Sequence, residues 1–184
     1  MKFRLPLNTL LRLALIGLAS TIASSLRGQA LPAMALPVRQ QAFANSAAGF
    51  LSGNLDDAEA KLATAIRGVA GTARWHALSG HELAHVAMLL RNGGHGPTAV
   101  AVAQRALRHF SQAIQKFSAS SEPAAVANAY ECMGYIEEEF FGDLDSAAKY
   151  YQAAVQLSPT TGQAAALLAR VQQSASAQAT RNGK

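Results

Sequence analysis

No window of this chain alternates Val, Ile, Thr or aromatic residues with polar ones in the way a half-buried strand requires. Apolar and small residues instead fall in runs punctuated by glycine. The pattern predicts helices over 38–51, 54–69, 73–92, 97–117, 123–140, 143–157 and 161–173, and no sheet. The last opens at Thr160 with Gln163 three residues on, a capping box that starts an independent helix. Residues from about Gln172 read as polar, and 175–184 as a tail.

Three segments repeat one another. Gly53-Asn54-Leu55-Asp56-Asp57-Ala58 continues to Leu62 and Ala65. Gly94-His95-Gly96-Pro97-Thr98-Ala99 continues to Ala103 and Ala106. Gly142-Asp143-Leu144-Asp145-Ser146-Ala147 continues to Tyr151, Ala154 and Pro159. Glycine suits the turn between antiparallel helices, Asn54, Thr98 and Asp143 can cap the helix that follows, and paired alanines let helix axes approach. One such hairpin cannot bury its apolar face alone, so the hairpins must stack.

The series resembles the second helix of the tetratricopeptide repeat, over roughly residues 38 to 160. The first-helix signature of that family is matched in part by Trp75, Leu78, Ser79 and Glu82, and by Tyr130, Met133, Gly134 and Glu137. Glu takes the place of the usual tyrosine both times. The resemblance implies an all-α, right-handed superhelical solenoid of about three hairpins with a C-terminal capping helix, over residues 36–174. It also implies a peptide groove lined by the first helices, onto which His76, Glu131, Tyr135 and Glu138 map. The family's carboxylate clamp of Lys and Asn has no counterpart here. The glycines are 41 and 48 residues apart, against about 34 in the family. The excess places about two extra turns on each helix of the middle hairpin. The expected result is a projecting tip carrying Met88, Leu89, Leu90, Pro97, Val100 and Val102.

Composition narrows the function. The formal charge of +5 rests largely on Lys2, Arg4, Arg12 and Arg27, and without them 12 basic residues face 11 acids. No nucleic-acid role follows from so small a surplus. Those basic residues flank an apolar run, cleanest over Leu13 to Ala23, followed by small residues at Ala30 and at Ala33-Met34-Ala35. This is the layout of a cleaved export signal over 1–35, with membrane attachment only if it is retained. The expected location is periplasmic or extracellular. A lone Cys132 excludes an internal disulfide and reads as a buried, inert thiol.

One motif points to catalysis. His81-Glu82-Leu83-Ala84-His85 is H-E-x-x-H on a helix and resembles the zincin signature, with His81 and His85 as zinc ligands and Glu82 as base. No third ligand follows at the family spacing, where Met88 and Arg91 stand, and there is no strand to align a substrate. The alternative of a small zinc peptidase therefore ranks below a pair of exposed histidines on a helix face. Charge is segregated too: residues 61–116 hold seven basic side chains and one acid, and 122–145 hold seven acids and no base. Such faces attract each other across a hairpin boundary. Glu137, Glu138 and Glu139 point about 100° apart and cannot serve one substrate together. The sequence thus predicts a cofactor-free, non-enzymatic interaction scaffold holding a peptide or protein. Contact is expected at His76, Glu131, Tyr135, Glu138, Met88 and Leu89.

Overall fold

The computed structural model describes residues 49–66, 70–117, 122–159 and 163–182, all within one compact unit spanning Pro37–Lys184. The leader, most of the helix expected over 38–51, and Thr160 of the capping box lie outside the described residues. Among the described residues there is helix and no strand. The elements are α1 (Leu55–Ala65), α2 (Ala73–Asn92), α3 (Gly96–Lys116), α4 (Pro123–Ile136) continued by a π-helical turn (Glu137–Phe141), α5 (Leu144–Leu157) and α6 (Ala164–Asn182). Helices α2 and α3 form one hairpin, α4 and α5 the next, and α6 lies mainly on α5.

The repeated sequence has one structural meaning at each occurrence. Gly53, Gly94 and Gly142 adopt φ of 85°, 86° and 66°, a left-handed turn that costs other residues about 1–2 kcal/mol. Ala58, Ala99 and Ala147 are fully buried, as are Ala103 and Tyr151 in the next slot. Asn54 and Asp143 cap their helices by accepting from Asp57 N and Ser146 N. Thr98 does not cap: α3 already starts at Gly96 with Pro97 in its first turn, so the N-cap falls on His95.

Both hairpins close through glycine against an aromatic ring. A Cβ on Gly80 would stand 3.0 Å from the Phe110 ring, and one on Gly134 would stand 2.7 Å from that of Tyr151. Gly134 and Tyr151 lie 8 and 9 residues from Gly142, whereas Gly80 and Phe110 lie 14 and 16 from Gly94. The middle hairpin therefore holds about two additional turns per helix between its loop and its closest approach.

Those turns are not a free tip. Leu90 and Val102 are buried, and Met88 and Leu89 are half-buried. The π-helical turn supplies the covering surface. A π turn is wider than an α turn, and it sends successive carboxylates to different neighbours: Glu139 to Arg91 of α2, Glu138 to Arg170 of α6. Arg91 also lies over the Phe140 ring at 5.2 Å. Leu83, Val86 and Phe110 complete the core here, each worth about 1.5–3 kcal/mol when buried.

Segregated charge pairs across the layers as expected. Arg74 meets Glu122 at 3.2 Å and Arg91 meets Glu139 at 2.9 Å, joining basic α2 to acidic α4 and its extension. Helix α6 runs beyond residue 173 to Asn182. No Gly or Pro interrupts the stretch after Gly162 until Gly183, and Ser174, Ser176 and Thr180 return their hydroxyls to carbonyls one turn back.

Candidate functional site

Among the described residues an open cleft of about 290 Å³ lies between α1, α2 and α3. Leu62, Ala63, Ile66, Leu83 and Trp75 line it, and of these Leu62 and Leu83 are already buried in the core. Helical spacing puts the polar wall in place. Asp56 and Glu59 share a face of α1 at i, i+3, and Arg105 and His109 share a face of α3 at i, i+4.

These four side chains form a chain of contacts that ends on α2. Arg105 donates one edge of its guanidinium to Glu59 and the other to Asp56 at 2.6 Å. Glu59 accepts from His109 Nε2 at 3.0 Å. Because a carboxylate only accepts, His109 carries a proton on Nε2. His109 Nδ1 lies 3.1 Å from His76 Nδ1, a gap that holds one proton. Trp75 stands edge-on to both imidazoles, at centroid distances of 5.0 and 5.5 Å.

Electrostatics follow from these contacts. The hydrogen bond from His109, aided by Arg105 and opposed by burial, holds Glu59 at about 2. Burial, with His109 and Lys116 nearby, pulls His76 below its ordinary value. The Arg105 side chain is 17% exposed and Glu59 26%, but Asp56 is 89% exposed. The inner edge of Arg105 is therefore fixed, and its outer edge rests on a solvated, replaceable partner.

The H-E-x-x-H helix faces inward, not to solvent. His81 is half-buried, with its Nε2 donating to Asn128 Oδ1 of α4 at 2.9 Å and its ring edge-on to Phe110. Burial drops its pKa to about 4 despite that bond. His85 is also half-buried and its pKa is lowered by the same cause. The pair expected to be exposed is thus packed, because α2 is covered by both α3 and α4. Cys132 Sγ sits 3.6 Å from His81 Nδ1, so cysteine, histidine and asparagine stand in sequence. Burial pushes the thiol well up while it pushes the imidazole down, which leaves a neutral pair and no thiolate. Among the described residues no three His, Cys, Asp or Glu side chains gather as a metal-binding group.

Of the six residues assigned to partner contact, Tyr135 and Met88 come together, while His76, Glu131 and Glu138 engage other groups of the fold. His76 is buried on His109. Glu131 accepts from Gln163 N at the start of α6, and burial raises its pKa. Glu138 accepts from Tyr151 Oη at 3.1 Å and from Arg170 at 2.7 Å. Tyr135 and Met88 meet, hydroxyl to sulfur, at 3.6 Å, and Leu89 is half-buried beside them in sequence. Helix α6 thus uses the α4 carboxylates that the repeat pattern assigns to a ligand.

No family model matches this chain, and no curated protein matches it. The cleft residues Asp56, Glu59, Arg105 and His109 were not singled out by sequence. Their i, i+3 and i, i+4 spacing on helices of opposite charge was the available signal.

Proposed function

We propose that this chain is an exported, non-catalytic interaction scaffold of the tetratricopeptide type, holding a peptide or protein partner. In this reading the hairpins continue into a right-handed superhelical solenoid of about three repeats, closed by α6 as the capping helix. The repeated left-handed glycine, buried alanine and glycine-on-ring contact support that architecture. The basic, apolar and small-residue segments of 1–35 support export to the periplasm or beyond the cell.

The observation that carries the binding role is the α1–α2–α3 cleft. It pairs an apolar lining that includes Trp75, Ala63 and Ile66 with a few fixed polar groups, the usual constitution of a recognition site. The histidines of the H-E-x-x-H segment and the Cys132 thiol serve packing in this reading.

The test is partner retention by immobilised residues 36–184 from an extract of the native cells. Replacing Trp75 with Ala is expected to release the retained partner while the helical circular dichroism persists. Equal retention by the variant, folded to the same helix content, would remove the cleft from the account.

A further inference from the structure

We propose that His76 and His109 form a one-proton latch between the first turn of α2 and the last two turns of α3, which a second proton opens in mild acid. What opens is the side of the cleft that carries Trp75, the chain neighbour of His76.

The geometry accommodates a single proton. The two Nδ1 atoms face each other at 3.1 Å, and each histidine is 8% exposed. One ring donates across that gap and the other accepts. His109 cannot turn to present its other nitrogen, because Nε2 donates to Glu59 at 3.0 Å. Glu59 is itself held by Arg105, which also meets Asp56. The links from α1 to α3 are therefore fixed, and His76 is the end that can let go. When both imidazoles are doubly protonated, two N–H groups point at each other with no acceptor between them. Two like charges then stand within hydrogen-bond distance.

The charged groups around the pair do not offset that state. From α1, Glu59 is committed to Arg105 and His109, and Asp56 to Arg105. From α3, Arg105 and Lys116 are cations, and Arg108, beside His109 in the chain, is exposed. On α2, Arg74 pairs with Glu122 of α4 at 3.2 Å, which occupies that acid too. Burial first, then His109 and Lys116, oppose a proton on His76. The apolar hold at this end of α2 comes from small side chains, Ala73 and Ala77, against Ala113, Phe117 and Val126. Loss of the latch thus frees the start of α2. Helix α1 stays on α3, because Glu59, held at about 2, remains charged throughout mild acid.

Trp75 is the single tryptophan and stands edge-on to both imidazoles, so it reports the opening. Its accessibility is measured on the protein by acrylamide quenching, with far-UV circular dichroism as the record of overall helix. Quenching is expected to rise about twofold from about pH 7 to about pH 5 while the helix signal holds. Imidazole nitrogen NMR shifts over the same range are expected to place the rise at the second proton of the pair. His76→Gln offers an amide that can donate to His109 Nδ1 or accept from it, so the rise is expected to vanish. His81→Gln, outside the pair, is expected to keep it. Constant quenching in the parent, a rise that accompanies loss of helix, or an equal rise in His76→Gln would overturn the latch. So would a pair that takes up its second proton with Trp75 still covered, a result that needs no variant to fold. The opening needs no partner, so partner retention by the Trp75 variant judges the scaffold reading separately.

Discussion

The α2–α3 hairpin and the α4–α5 hairpin are built on the same contact and secured by different chemistry. Each brings a glycine of its first helix against an aromatic ring of its second, Gly80 on Phe110 and Gly134 on Tyr151. In the first hairpin the buried polar groups are Ser79 and the imidazoles of His76 and His109, and half-buried His81 stands edge-on to the Phe110 ring. Around the second they are a phenol and carboxylates: Tyr151 Oη donates to Glu138, which Arg170 also holds. Acid therefore weakens the first closure by charging these imidazoles, and the second holds no imidazole. The two hairpins share a backbone plan while each keeps its own polar lock.

The largest expected difference is in acid. His81 is drawn down to about 4, and His76 and His85 are also lowered by burial. A lowered folded-state value means that the unfolded chain binds protons first, so stability falls as pH drops from 6.5 towards 4. For His81 alone the loss reaches about 3 kcal/mol over that window. Glu131 and Glu137 of the second hairpin have raised values, by burial first, so their protonation in the fold favours it as pH falls. Asp143, lowered by its hydrogen bonds to Ser146, works against them, so the second hairpin is expected to lose less than the first as pH falls. Amide hydrogen exchange at pH 7 and pH 4.5 is expected to show protection falling in α2 and α3 before α4 and α5. His81→Gln, which keeps a donor for Asn128, is expected to flatten the decline; an unchanged slope would remove His81 as its source.

Next in size is the response to one methyl group at the glycine contacts. In a helix interior Ala is favoured over Gly by about 1 kcal/mol. At Gly134 the added Cβ falls 2.7 Å from a ring whose hydroxyl is pinned by Glu138, so the ring cannot swing aside. Gly134→Ala is expected to destabilise by about 2 kcal/mol in denaturant titrations, after the helical gain is counted. At Gly80 the distance is 3.0 Å and the Phe110 ring has no polar tether, so Gly80→Ala is expected to lie within about 1 kcal/mol of the parent. Equal costs at the two sites would mean that Glu138 does not fix the Tyr151 ring.

The glycine signature made the helices and their turns legible, and the residue numbers show why part of the packing was not. The repeat alignment pairs Ser79 with Gly134, but the close approach in the first hairpin falls one residue later, at Gly80. Six inserted residues on α2 shift the face by more than a turn, and a pattern read from the loop cannot recover that shift. The cover over the tip is not legible in the sequence for a related reason. Whether Leu90 is bare depends on the reach of α4, and the π-helical turn that extends it has no sequence mark beyond three glutamates and two phenylalanines. The cleft was hidden because its polar wall joins Glu59 to Arg105 across 46 residues. Trp75 was visible only as a repeat marker.

Removing charge geometry from the interface between these hairpins gives the smallest effect and still separates its two ends. Near its loop end, Arg91 donates to the Glu139 carbonyl at 2.6 Å and carboxylate at 2.9 Å, and covers the Phe140 ring. At the other end, Arg74 meets Glu122 at 3.2 Å with side-chain exposures of 52% and 35%. A lysine keeps the charge at either site but not the forked donors or the stacked plane. Arg91→Lys is expected to cost about 0.5–1 kcal/mol by thermal unfolding, and Arg74→Lys no more than a few tenths. The first loss should persist in about 1 M salt, because a carbonyl bond and a ring contact are screened little, whereas any Arg74 effect should vanish. If both losses vanish together, the boundary is held by exposed charge at both ends, and the π-helical turn contributes only the cover over Leu90.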